Sequence, residues 1–292
     1  MKKNLLNKIV LITGANRGLG KEIAKTFALE GASLILCARN LKMLQETKVE
    51  LQKIISPKQR IVIQSLDICS EKDIKFLTTY TFENFKKCDI LINNAGVYGP
   101  KGLFDEINFN DWFKTIETNF IGSAMLCHYF LPFMKKQNYG KIIQLSGGGA
   151  TKPMPYISGY ASSKAAIVRL VETLAHETKK FNIDINSIAP GALNTSMLEE
   201  IISAGPKKVG LEYYKKSIKQ KQNGGESFQN AANLALFLAS SESDGITGKI
   251  ISAVWDDWKK WPKYKNEFLN SDVYTLRRIV GKDRQMRWGD VE

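Results

Sequence analysis

The chain has 292 residues, 43% of them hydrophobic, with four cysteines, two histidines and a formal charge of +13. That length and apolar content suffice for a full core and exclude a disordered chain; the opening apolar run breaks at Thr13 and Gly14, too early for a signal sequence, and nothing nears the roughly 20 apolar residues that cross a bilayer. Widely spaced Cys37, Cys69, Cys88 and Cys127 exclude a disulfide scaffold or a Cys/His zinc site, and the lysines are scattered rather than gathered into a stripe, so the expectation is a soluble cytoplasmic protein with no metal, no nucleic acid and no membrane insertion.

Two hydrophobic periods alternate from the start. KIVLI at 8–12 predicts a buried strand, and 18–30 a helix that turns Ile23, Ala24 and Phe27 inward. Strand SLILCA at 33–38, a helix over 41–55, strand RIVIQSLD at 60–67, a helix opened by Ser70 and strand DILINNAG at 89–96 continue the pattern. A single long helix is expected over 111–136, then strand KIIQLS at 141–146, a helix over 158–180, a strand in NIDINSIAP, a helix over 228–239 and strand GKIISAV at 248–254. Every crossover is long enough to hold a helix, so the seven strands are parallel. The expected fold is α/β: a Rossmann-type, doubly wound, seven-stranded parallel sheet with helices on both faces.

Between Pro190 and Phe228 the pattern turns polar and irregular, with glycines punctuating short helices. Such an insertion after a strand's carboxyl end lies where open sheets bind ligands and suits a lid. The expected division is a dinucleotide-binding catalytic domain over 1–254 and an extension over 255–292. That extension gathers Trp255, Trp258 and Trp261, with Trp288 near its end. It is open to three uses, of which packing on the domain or on a partner subunit comes first, ahead of lining the substrate site.

TGANRGLG at 13–20 leaves the first strand as a glycine-rich turn, bringing Gly14, Asn16, Arg17, Gly18, Leu19 and Gly20 to the start of a helix whose free amides face a pyrophosphate. Its GxxxGxG spacing differs from GxGxxG. At the end of the second strand, where an acidic residue would accept from a ribose 2′-hydroxyl, stands Arg39; with Arg17 it favours a 2′-phosphate and hence NADP(H), the alternative being that Arg39 caps a surface turn. Asp67 is placed to accept from the adenine amino group with Ile68 against the ring, and Asn93, Asn94, Ala95 and Gly96 to run their backbone along the cofactor. Tyr160 and Lys164, four apart in YASSK, share one helix face, where a phenol beside an ammonium can act as proton donor.

These ordered motifs, TGANRGLG, NNAG at 93–96, Asn119, YASSK at 160–164 and PGALNT at 190–195, closely resemble the short-chain dehydrogenase/reductase family over about residues 7–254. The resemblance implies an NAD(P)-dependent oxidoreductase in which Tyr160 is the acid/base, Lys164 lowers its pKa, Asn119 holds a relay water, and Thr195 meets the carboxamide after the Pro190–Gly191 turn. It also implies a homodimer or homotetramer. One departure stands out: the family's serine, thirteen residues before its tyrosine, is here Gly147. Ser146 is the expected replacement, delivered by a bulge of the glycines 147–149, with Thr151, Ser158 or a water as alternatives. The function expected is NADP(H)-dependent interconversion of a carbonyl and a secondary alcohol. Arg277 and Arg278 in the tail raise a nucleotide-sugar or secondary-metabolite reductase as an alternative, and Gly147 raises an NADP-binding regulatory protein with little turnover.

Overall fold

The computed structural model describes residues 3–269 and 271–286. Its sheet contains β1 (Ile9–Thr13), β2 (Ser33–Ala38), β3 (Ile61–Ser65), β4 (Ile90–Asn93), β5 (Gly140–Leu145), β6 (Ile183–Ala189) and β7 (Ile250–Ser252), all parallel, in the order β3-β2-β1-β4-β5-β6-β7. Every residue of β1 is buried, as an apolar run covered on both faces must be. Period two then sorts the side chains. Val10 and Ile12 join the core under α1 (Gly18–Leu29) and α2 (Leu41–Gln52), whereas Ile9 and Leu11 face α3 (Glu71–Phe85) on the other side. Ser70 caps α3 as expected, its hydroxyl accepting from the Asp73 amide at 3.2 Å, while the Asp73 carboxylate turns away to the amide of Asp67.

The single helix expected over 111–136 is instead α4 (Phe109–Ile116), a π-helical turn over Glu117–Ile121, and α5 (Gly122–Gln137). Hydrophobic periodicity cannot reveal one wide turn, but side-chain bonding explains its location: Asn119 lies inside it, fully buried and tied to Val97. The later helices are α6 (Ser158–Thr178), then α7 (Ser196–Ala204), α8 (Pro206–Val209) and α9 (Leu211–Gln222) in the irregular stretch, and α10 (Phe228–Ala239).

Beyond β7 the tail folds back on the domain. Trp258, Trp261 and Phe268 are buried in the same core as α1 and α10, with Trp258 5.4 Å from the Phe237 ring and Trp261 4.4 Å from Phe268. Trp255 is exposed, and Trp288 lies outside the described residues. The Ile250 amide donates to the Tyr274 carbonyl at 2.8 Å, and the Lys249 ammonium donates to the carbonyls of Ser271 and Val273. The free edge of β7 is therefore covered by the chain's own tail.

Candidate functional site

Neighbouring strands leave β1 in opposite directions at their carboxyl ends, β2 on one side and β4 on the other, which opens a crevice there. A cleft of about 400 Å³ occupies it. Its first wall is the glycine turn. Gly14 has φ +64°, and a Cβ on it would fall 2.9 Å from the Asn94 side chain and 3.0 Å from the Ala95 backbone. Gly20 is tighter, since a Cβ there would meet the Gly14 carbonyl oxygen at 2.3 Å. The Asn94 side-chain amide binds this turn by donating to the carbonyls of Thr13 at 2.9 Å and Gly14 at 3.2 Å. The Thr13 hydroxyl answers by accepting from the amides of Asn94 and Ala95.

Most of the expected cofactor residues meet on this cleft: Gly14, Asn16, Arg17, Gly18 and Leu19 from the turn, Arg39, Asp67 and Ile68 from the ends of β2 and β3, and Ala95 and Gly96 after β4. Pro190, Gly191 and Thr195 close the far side, and Thr195 brings its methyl group within 4.0 Å of where a Gly18 Cβ would stand. Gly20 packs behind the turn rather than on the cleft. Asn93 is not on the cleft either: its side-chain amide is buried and donates to the Ser123 carbonyl at 3.2 Å, because β-alternation turns it toward α5 while its neighbour faces the turn. Sequence reading missed Thr118, Val97 and Tyr98, of which the Val97–Tyr98 pair was signalled only by adjacency to the strand end, and it gave Asn94 a backbone role alone.

Arg17 and Arg39 are exposed on this wall, and neither guanidinium has a protein partner among the described residues. They are cationic forks free to take an anion. On the tail, by contrast, Arg277 pairs with Asp272 and Asp283 and lines a separate groove beside α6 and β7. No described residue of the tail reaches the nucleotide cleft, which removes the basis for an anionic or sugar-like ligand read from Arg277 and Arg278.

Tyr160 and Lys164 enter from the first turns of α6 and line the same cleft. The Lys164 ammonium is buried, donates to the Leu145 carbonyl at 2.6 Å and lies 5.6 Å from the centre of the Tyr160 ring. Burial lowers its pKa to about 8. The Tyr160 phenol is pushed up, first by burial and then by Tyr213. Asn119 connects to the pair from behind, accepting from Val97 N at 2.8 Å and donating to the Ser163 hydroxyl at 3.0 Å.

Gly147 has φ 175°, ordinary extended backbone, and none of the glycines 147–149 takes the left-handed conformation. The strand ends at Leu145, and the glycines lead into a short 3₁₀ turn over Gly148–Ala150. What glycine provides is room: a Cβ at 147 would stand 2.4 Å from the Tyr160 hydroxyl oxygen. Ser146 lines the cleft, buried, with its hydroxyl 3.5 Å from the Lys164 carbonyl. Ser158 accepts from the Trp112 indole at 3.2 Å, and Thr151 is exposed. Packed with Tyr160 is a small apolar cluster of Ile157, Ile201 and Val209 with Tyr98, Met154 and Tyr213.

Residues 8–205 match the family described as short chain dehydrogenase. The chain is 32% identical to the 7alpha-hydroxysteroid dehydrogenase of Escherichia coli strain K12 over 246 residues, 84% of this chain and 92% of that one. Among solved structures it resembles a 7 alpha-hydroxysteroid dehydrogenase complexed with NADH and 7-oxo glycochenodeoxycholic acid, with a TM-score of 0.71 and 30% identity over 86% of this chain and 94% of the other. Levodione reductase superposes with a TM-score of 0.78 at 25% identity, over 85% and 96% of the two chains.

Proposed function

Because the chain belongs to the short-chain dehydrogenase family, whose nucleotide-binding Rossmann fold and oxidoreductase chemistry it shares, we propose that it uses NADP(H) to interconvert a carbonyl and a secondary alcohol, with Tyr160 as general acid/base. The observation that carries this is that the Tyr160 phenol and the Lys164 ammonium open onto the cleft walled by the glycine turn. Gly14 and Gly18 bring bare backbone to the cleft wall, which fits a site where backbone must approach a pyrophosphate closely. When bound, the nicotinamide supplies the hydride. The chain's own residues handle the proton and the orientation.

In the reducing direction Tyr160 gives its hydroxyl proton to the substrate oxygen as hydride reaches the carbonyl carbon. Burial keeps that phenol protonated at neutral pH, which suits an acid. Lys164 contributes charge beside the ribose and the phenol, Asn119 holds a relay water, Ser146 is a hydroxyl on the wall, and Thr195 orients the carboxamide. The hydroxysteroid enzyme's structure holds NADH, so the choice of NADP(H) rests on this chain's unpaired Arg17 and Arg39. The apolar cluster around Tyr160 supports a largely apolar ketone or alcohol, in keeping with relatives named for a hydroxysteroid and for levodione.

The proposal extends to a homodimer or homotetramer in the cytoplasm. Among the described residues no helix is long and apolar enough to cross a membrane. The test is a spectrophotometric screen of purified protein against cyclic ketones and the matching alcohols, with NADPH and NADH in parallel. Turnover faster with NADPH is expected. No hydride transfer to any carbonyl compound with either nucleotide, despite measurable nucleotide binding, would leave a regulatory binding protein instead. Light scattering on the same sample reads the subunit number.

A further inference from the structure

Along the chain the lysines look scattered, but between Pro206 and Gln222 six of them stand against one carboxylate, Glu212. α7 and α8 both pack against α9, so these charges fall on one compact unit. Lys207, Lys208, Lys215, Lys216 and Lys219 are exposed, and none has an ion-pair partner among the described residues; Lys221 is paired with Glu199 at 2.8 Å. α9 is amphipathic. Leu211, Lys215 and Lys219 follow one another at four-residue spacing on its outer stripe, while Ser217 is buried and Tyr213 and Tyr214 pack into the cluster that contains Tyr160. Exposed apolar side chains adjoin the lysines: Leu211 is 57% exposed at the start of α9, and Leu103 and Phe104 are 48% and 58% exposed on the segment after NNAG. Tyr156 ties these two places together, its carbonyl accepting from the Gly102 amide at 3.0 Å and its ring lying 2.6 Å from where a Cβ on Gly210 would stand. The Lys101 ammonium adds a bridge to Glu200 on α7 at 2.7 Å.

We propose that this face, the outer side of α8 and α9 together with Leu103 and Phe104, docks on the surface of an anionic lipid bilayer. Unpaired lysines beside exposed aliphatic and aromatic side chains match a boundary that is negative at its headgroups and apolar just beneath them. The protein touches the membrane there and does not cross it. A nucleic acid offers the charge but not the apolar layer, and no arginine, the side chain suited to paired contacts with phosphate, occurs between Ser196 and Gln222. α7 and α8 also place Ile201 and Val209 in the cluster with Tyr160. On the reading of the cleft as a reductase of apolar carbonyls, docking therefore brings the helices packed with Tyr160 to the phase in which such a substrate dissolves.

Vesicle binding measures docking without turnover, so its outcome is separate from that of the reductase reading. The full-length protein would be sedimented with vesicles of phosphatidylcholine alone and of equal parts phosphatidylcholine and phosphatidylglycerol, in low and in high salt. The wild type is expected to bind the mixed vesicles, to bind the neutral ones at least about tenfold more weakly, and to be released by salt. Combining Lys207→Gln, Lys208→Gln, Lys215→Gln, Lys216→Gln and Lys219→Gln should weaken binding at least about 30-fold, since one lysine near an anionic surface is worth up to about fivefold. The same change at Lys25, Lys53, Lys58, Lys72 and Lys86, exposed on other elements, should keep binding within about threefold. Leu211→Ser with Phe104→Ser should weaken it about tenfold at unchanged charge. All these side chains are exposed, so the fold is retained. The proposal is overturned if the wild type stays in the supernatant with the mixed vesicles, or if the two lysine sets lose binding alike, which would make diffuse charge the cause. It is equally overturned if the Leu211 and Phe104 variant binds as well as the wild type and a DNA duplex competes, which would make the face a polyanion site.

Discussion

On the nucleotide side the cleft is shaped by backbone, with Gly14 and Gly20 pressed against carbonyls and the Asn94 amide, all within a few residues of the ends of β1 and β4. On the substrate side it is shaped by side chains from the segment after NNAG, the start of α6 and the helices after β6, which meet around Tyr160 as a cluster of tyrosines and aliphatics. The first wall tolerates almost no change at its glycines. The second can be repacked without touching the fold, which is how one scaffold serves many substrates. Tyr160 and Lys164 stand at the seam, and their loss should separate the two sides most sharply.

Tyr160→Phe is expected to reduce hydride transfer by a factor on the order of 10² to 10⁴ while NADPH affinity stays within about threefold, since a general acid is removed and the nucleotide wall is untouched. Stopped-flow single turnover and fluorescence titration check the two parts. If affinity fell in step with rate, the division between the walls would be wrong.

Gly20→Ala tests the rigidity of the first wall. The added methyl overlaps a backbone oxygen at 2.3 Å, so the β1–α1 turn must move, with a loss of about 1–3 kcal/mol in stability and a fall in dinucleotide affinity. Denaturant melts and NADPH titration measure it. The same substitution at Gly148, where a Cβ meets nothing within 4 Å, should leave both near wild type.

Arg39→Asp asks for less. Replacing an unpaired guanidinium at the end of β2 by a carboxylate should weaken NADPH by about tenfold or more and leave NADH binding equal or better, from the loss of a charge-assisted bond of about 1.5–3 kcal/mol. Unchanged preference between the two nucleotides would return Arg39 to the surface-turn reading.

The same contrast explains what the sequence made legible. Seven strands, their parallel order and the glycine turn follow from local periodicity and from spacing that only backbone geometry can satisfy, and YASSK places Tyr160 and Lys164 on one helical face. The side chain of Asn94 was not told apart from that of Asn93, because which of the two faces the glycine turn depends on where β4 ends. Tyr98 and Tyr213, 115 positions apart, meet in the cluster around Tyr160 only through the packing of α9, and nothing in either neighbourhood announces it. The glycine at 147 carries a readable oddity, but its reason lies in a phenol from another element. The π-helical turn at Asn119 was hidden because the apolar pattern runs straight through it.

A smaller effect concerns pH, and it separates the seam from the nucleotide wall. Burial brings Lys164 down from 10.5 to about 8, whereas Tyr160 is moved up. Carbonyl reduction needs the phenol protonated, which holds through neutrality, and the ammonium charged, which holds only below about pH 8. The rate at saturating nucleotide and substrate should therefore be level below that point and fall above it, by up to about tenfold per pH unit if the charge is obligatory. The stability contribution of the same group runs the other way. Between about pH 8 and 10.5 the unfolded chain holds a proton on this lysine that the folded chain has released, so its contribution rises with pH through that window. A kcat profile with its limb near pH 8, moved to higher pH in Lys164→Arg, would place the titrating charge at the seam; NADPH affinity should vary by much less over the same range. A limb that stays near pH 8 after the substitution would assign the ionisation elsewhere.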